Sequence, residues 1–189
     1  MKKVAIFGIC ILCIIITVFG INYANLTKYK FSPKACQSFF SHAPEEAAEE
    51  CNQSMTGTNK FCTFARVDKD GNLLLYLNDN QKQNWDIQQS TLIQSAHLSG
   101  TVISRSFTKI TVKGYRENID VRVDAAMWAI RACAIKQLIS GTEPEAIQVE
   151  FSVIDAKTNE ELYNAIWPNE TILWNTGDSS VSSKNTVDG

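Results

Sequence analysis

The sequence predicts an α+β fold: a mainly antiparallel sheet in ββα-ββα-ββ order, with one buried and one amphipathic helix, preceded by an N-terminal transmembrane helix. Three observations carry that prediction. An unbroken apolar run from Val4 to Ile21 follows Met1-Lys2-Lys3. Strand-like segments flank turn signals centred near residues 70, 117 and 158. Between them lie two long helical patterns, one with a narrow apolar stripe and one apolar almost all round.

The apolar run is the first element. At ~1.5 Å per residue a helix over 4–21 reaches across a hydrocarbon core, and it exceeds the ~7–15 residues of a secretory h-region. Val18-Phe19-Gly20 is a poor cleavage pattern, so residues 1–24 read as a signal anchor. Lys2 and Lys3 favour an inside N-terminus, opposed by Lys28, Lys30 and Lys34 beyond the span. The expectation is a single-pass protein of the cell membrane with its C-terminal domain outside; cleavage would make it secreted instead. Cys10 and Cys13 count as small apolar residues within the span.

Residues 25–58 read as a tether followed by a short cysteine-bearing helical segment. Ser32-Pro33 has the N-cap and first-turn signature of a helix reaching Phe39 and Phe40. Ala43-Pro44 opens a second, whose Glu45, Glu46, Glu49 and Glu50 crowd the end where carboxylates are favoured. A loop over 54–60 then marks the boundary of the main domain, placed at 59–174.

In that domain, the segments 61–67 and 72–78 flank Asp68-Lys69-Asp70-Gly71, a tight-turn signal. Asn78-Asp79 caps a helix running to Leu98, with a stripe of Trp85, Leu92, Ile93 and Ala96. The segments 107–114 and 119–123 both alternate apolar with polar residues, predicting a second hairpin with one wet face. A buried helix follows from Asp124 to Ser140, stopped by Gly141. The third hairpin pairs 147–155 with 162–167. From Asn175 to Gly189 the chain is small, polar and free of aromatics, the composition of a disordered tail.

Composition excludes one class of function. Of 18 Lys and Arg residues, two precede the apolar run, leaving 16 against 20 Asp and Glu. No basic stripe offers itself to phosphates, so nucleic acid is not a partner. Cys36, Cys51, Cys62 and Cys133 lie beyond the run, an even number that predicts two disulfides in an exported domain. Cys36–Cys51 across the two short helices and Cys62–Cys133 in the core is the preferred pairing. No pair has C-x-x-C spacing, which disfavours thioredoxin-like chemistry and zinc ribbons.

Several residues could carry chemistry. A Cys62 or Cys133 nucleophile activated by His97 lacks an orienting partner, and an apolar setting raises a thiol pKa. His42 with Glu45, Glu46 and Glu49 has the spacing of a cation site, yet also that of a solvated acidic helix face. The 68–79 segment echoes a calcium loop without its ligand spacing. Asn25, Asn52 and Asn169 head glycosylation sequons. No metal or cofactor is called for. Arg131, the lone charge in an apolar helix segment, either reaches solvent, pairs with Asp124 or Glu150, or meets a ligand carboxylate. Trp167 and Trp174, after the last strand, either close the core or form a docking patch. The expected function is a membrane-anchored, extracytoplasmic, non-catalytic binding or accessory module for a protein or envelope component, tethered through residues 4–21. The alternatives are a small exported hydrolase and, after cleavage, a secreted effector or inhibitor.

Overall fold

A computed structural model describes residues 25–53, 61–116 and 119–172. The expected anchor at 4–21, the expected loop over 54–60, Trp174 and the expected disordered tail at 175–189 lie outside the described residues. No helix among the described residues is long and apolar enough to cross a membrane.

The fold is mixed α+β, with two sheets and four α-helices among the described residues. The first sheet has the order β1-β3-β2, from β1 (Thr27–Phe31), β2 (Phe64–Val67) and β3 (Leu73–Leu77). Both pairings are antiparallel. β1 is a correction to the reading of 25–31 as tether. Tyr29 and Phe31 are buried while Lys28 and Lys30 are exposed, the period of two of a half-buried strand. Its register sets Thr27 opposite Leu77 and Phe31 opposite Leu73, so Phe31 enters the core.

Helices α1 (Pro33–Phe40) and α2 (Pro44–Gln53) follow β1. The Ser32 side chain accepts from the Ala35 N–H, and Ser41 ends α1 in the left-handed region. The last turn of α2 is clamped to β2: the Asn52 amide donates to the Ala65 carbonyl and accepts from its N–H, both at 2.8 Å. A side chain thus occupies the free edge of the strand as a neighbouring backbone would.

The 68–71 turn joins β2 to β3 as expected. The Asp68 carboxylate accepts from the Asp70 and Asn72 N–H groups, and Gly71 takes φ +80. Helix α3 (Asp79–Leu98) starts with a full capping box, Asn78 and Gln81 each accepting from the other's backbone N–H.

The second sheet has the order β4-β5-β6-β7, from β4 (Thr101–Ile103), β5 (Lys109–Gly114), β6 (Val149–Asp155) and β7 (Glu161–Trp167). β4 and β7 lie antiparallel to their neighbours, but β5 and β6 are parallel. The β6–β7 hairpin forms as predicted. The single mainly antiparallel sheet and the 107–123 hairpin do not.

Residues 119–123 instead open helix α4 (Ile119–Ile139). Their alternation is also compatible with a helix. Ile119 and Val123, four apart, are buried, while Val121 is 75% exposed. Arg122 supplies the rest of the reason, donating from Nη1 to the Lys113 carbonyl at 2.9 Å. A Cβ on Gly114 would lie 3.2 Å from Arg122 Cδ and 3.3 Å from Ile119 Cγ1, so the bare backbone lets α4 begin against the end of β5. Farther along, Gln137 donates to the Phe107 and Gln148 carbonyls at 2.8 and 2.9 Å, just ahead of β5 and β6.

The four cysteines among the described residues are buried, and neither expected disulfide is present. Helix α2 carries Cys51 towards β2, where the Cys62 thiol donates to the Cys51 carbonyl at 3.5 Å. Cys133 is enclosed within α4, and burial pushes its thiol up to about 12.

Candidate binding pocket

Where α1, α3 and α4 meet the end of β1 they leave a pocket of about 310 Å³. Helical periodicity builds two of its walls. Trp85, Gln89 and Leu92 of α3 are spaced i, i+4, i+7, placing them on one face. Met127 or Trp128, Arg131, Ile135 and Leu138 make the matching face of α4. Asp86 and Lys136 join the two helices by a salt bridge beside these faces. Phe31, Phe39 and Phe40 close another side, with ring centroids 5.3 Å apart for both Phe31–Phe39 and Phe31–Phe40. Phe61 completes the lining. Its ring lies 4.5 Å from Trp85, whose indole N–H donates to the Phe61 carbonyl at 3.0 Å.

Two polar groups interrupt this apolar surface. Gln89 is 8% exposed and makes no hydrogen bond to any described residue. Its amide is not sealed from solvent, so it is open to a ligand or water that enters the pocket. Arg131 is exposed, and no carboxylate among the described residues pairs with it. Asp124 is exposed, and Glu150 is engaged elsewhere. Lys109 donates to Glu150 at 2.7 Å and, foremost, holds its carboxyl below the usual range, with Asn164 also donating.

Trp128, on the same pocket wall, is 76% exposed, and Leu92 faces it from α3 with 42% exposure. Two turns before Trp128 on α4, Val121 continues the exposed apolar face. Sequence reasoning singled out Arg131 but not Trp128, Gln89 or Leu92. Leu92 was assigned to the core stripe of α3. The readable signal was Trp128 itself: on a helix apolar all round, the residue facing solvent emerges only once the packing partners are known.

The other sites resolve into structural roles. Trp167 stacks edge-on against Phe39 at 5.2 Å, outside the pocket lining. His42 contacts Glu46 and Glu50 at 3.4 and 3.5 Å rather than Glu45 and Glu49. Among the described residues no three His, Cys, Asp or Glu side chains converge as metal ligands. His97 engages the Thr101 carbonyl through Nδ1 at 2.9 Å and shares no hydrogen bond with Cys133 among the described residues. The Asp68 carboxylate is filled by its own turn, with Lys30 at 3.6 Å. Compared with known proteins, the chain matches no family model, no curated protein and no solved structure.

Proposed function

We propose that the domain is a non-catalytic binding module, held at the outer face of a membrane by residues 4–21, whose pocket receives an apolar side chain of a partner protein. The observation that carries this reading is an apolar, aromatic-walled pocket with Gln89 and Arg131 on its lining and the exposed Trp128 and Leu92 at its rim. Aromatic walls supply the burial energy, roughly 25 cal/mol per Å² of apolar surface covered. The amide and guanidinium select the polar part of the occupant. A bidentate guanidinium fits a carboxylate, and an amide fits a backbone carbonyl or N–H. The partner segment therefore carries an aromatic or branched aliphatic side chain with an acidic residue beside it. A protein is favoured over a small molecule because the apolar surface runs on past the cavity through Leu92, Trp128 and Val121. Exposed Trp and Arg are also the residues that dominate protein–protein interfaces.

The test is site-specific photocross-linking in the full chain in its native membrane. A photoreactive phenylalanine analogue at Leu92 is expected to give a discrete protein adduct that is lost in Trp128→Ala and Arg131→Glu backgrounds. The same probe at Lys157, in the β6–β7 turn, is expected to give none. An adduct at Leu92 that survives both substitutions, or no adduct, overturns the reading.

A further inference from the structure

The corner where α2 meets β2 holds two sulfurs that the expected pairing kept apart. Cys51 is on the last turn of α2 and Cys62 two residues before β2; both are buried in the same apolar cluster. The Cys62 thiol lies 3.5 Å from the Cys51 carbonyl oxygen, and the two thiols hydrogen-bond to each other. The backbone around them is already fixed in this approach, because Asn52 clamps to Ala65 by two hydrogen bonds. A disulfide requires two cysteines held this close together, and the clamp keeps their backbones in one corner. Cys36 is the third sulfur near Cys51, acting on it through charge only, and burial foremost raises its own thiol to about 11. Cys133 is remote from this exchange, its thiol displaced by burial alone.

We infer that Cys51 and Cys62 form a dithiol pair that closes to a disulfide by exchange with a disulfide oxidant, clipping α2 to the entry of β2. One cysteine thiolate attacks the oxidant R–S–S–R, forming a mixed disulfide and releasing one thiolate. The second cysteine thiolate attacks the protein sulfur of that mixed disulfide and displaces the other. Two cysteine thiols and R–S–S–R become one protein disulfide and two R–SH, which carry off both protons. In the folded chain the hydrogen bond to Cys62, followed by burial, holds the Cys51 thiol protonated. Exchange therefore runs while the chain folds or when this corner opens. The bridge would close the loop that includes residues 54–60 and would pin Cys62 beside Phe61, a wall of the pocket.

The full chain, solubilised in detergent, would be reduced, unfolded and refolded with a mixture of reduced and oxidised glutathione. Remaining thiols would then be alkylated under denaturing conditions and the protein mapped by mass spectrometry. The expected result is a 2-Da loss, a single Cys51–Cys62 cross-linked peptide, and alkyl groups on Cys10, Cys13, Cys36 and Cys133. Cys36→Ser should leave the cross-link intact, whereas Cys51→Ser and Cys62→Ser should each abolish it. The oxidised protein should melt roughly 5–10 °C above the reduced one. A Cys36–Cys51 or Cys62–Cys133 cross-link, or alkylation of all six cysteines of the chain after refolding to a native circular dichroism spectrum, overturns the inference. None of these outcomes depends on the pocket having a ligand.

Discussion

Helices α3 and α4 are nearly equal in length and form opposite walls of one pocket, yet they are held by different forces. Helix α3 is anchored at its end: Asn78 and Gln81 make the capping box, and the Gln81 side chain also accepts from the Thr63 hydroxyl at 2.8 Å. Its buried residues are few, and two of them, Gln81 and Gln89, are amides. Helix α4 buries residues along its whole length, from Ile119 to Leu138, and its end is settled by Arg122 reaching back to β5. Local hydrogen bonds define one helix and tertiary burial the other. The pocket lies at their junction because the polar helix cannot fill the space that the apolar one faces.

The comparison can be broken most directly in α4. Leu138→Ala deletes a fully buried side chain and is expected to destabilise by about 2–5 kcal/mol, read from urea unfolding. Leu92→Ala, on the opposite wall but partly exposed, should cost under about 1 kcal/mol. Equal costs at the two positions would show that α3 is also held by burial. Next in size is Asn78→Ala, expected to lower stability by about 1 kcal/mol through loss of the cap, with the change visible in the melting curve. Trp128→Ala and Arg131→Ala should shift stability by less than about 0.5 kcal/mol while removing the cross-link at Leu92, separating binding from folding.

The smallest effect is acidic. Asp68 is held below the ordinary carboxylate range, foremost by the Asn72 backbone N–H, and Asp155 foremost by the Lys157 backbone N–H with Arg116 assisting. Because both are depressed in the folded state, their stabilisation is fully present above the unfolded value of about 3.9 and is lost as pH falls below it. The melting temperature should be level near neutrality and fall in acid. Asp68→Asn and Asp155→Asn should flatten that acid limb, and an unchanged limb would assign acid sensitivity elsewhere.

Elements with a local signature were legible in the sequence. Ser32-Pro33, Asn78 with Gln81, and Asp68 with Gly71 each satisfy backbone groups within a few residues, so the caps and the first hairpin followed from short-range chemistry. Residues 119–123 were not legible because Ile119, Val121 and Val123 satisfy a strand period, while the helical choice depends on Arg122 meeting β5. β1 had the alternation of a strand but no neighbouring partner; its pairing with β3 joins residues far apart in the chain. The site was readable at Arg131, a charge out of place on its helix. Gln89 and Leu92 gained meaning only once α3 and α4 faced each other. The neighbourhood of Cys51 was hidden for a similar reason: the Asn52 clamp, invisible in the sequence, sets the Cys51 carbonyl against the Cys62 thiol.

The parallel β5–β6 ladder also sets an order of events for the folding chain. Lys109 and Glu150 are paired across it although 41 residues separate them, and the whole of α4 lies in the intervening loop. The β4–β5 and β6–β7 hairpins close short loops and can form early, on the microsecond scale of isolated hairpins. Their union must await the closure of a long loop and the docking of α4 across both. Gln137, bonded to carbonyls at the entries to both strands, belongs to that late event. Removing its amide should therefore slow the joining of two preformed halves more than it disturbs either half.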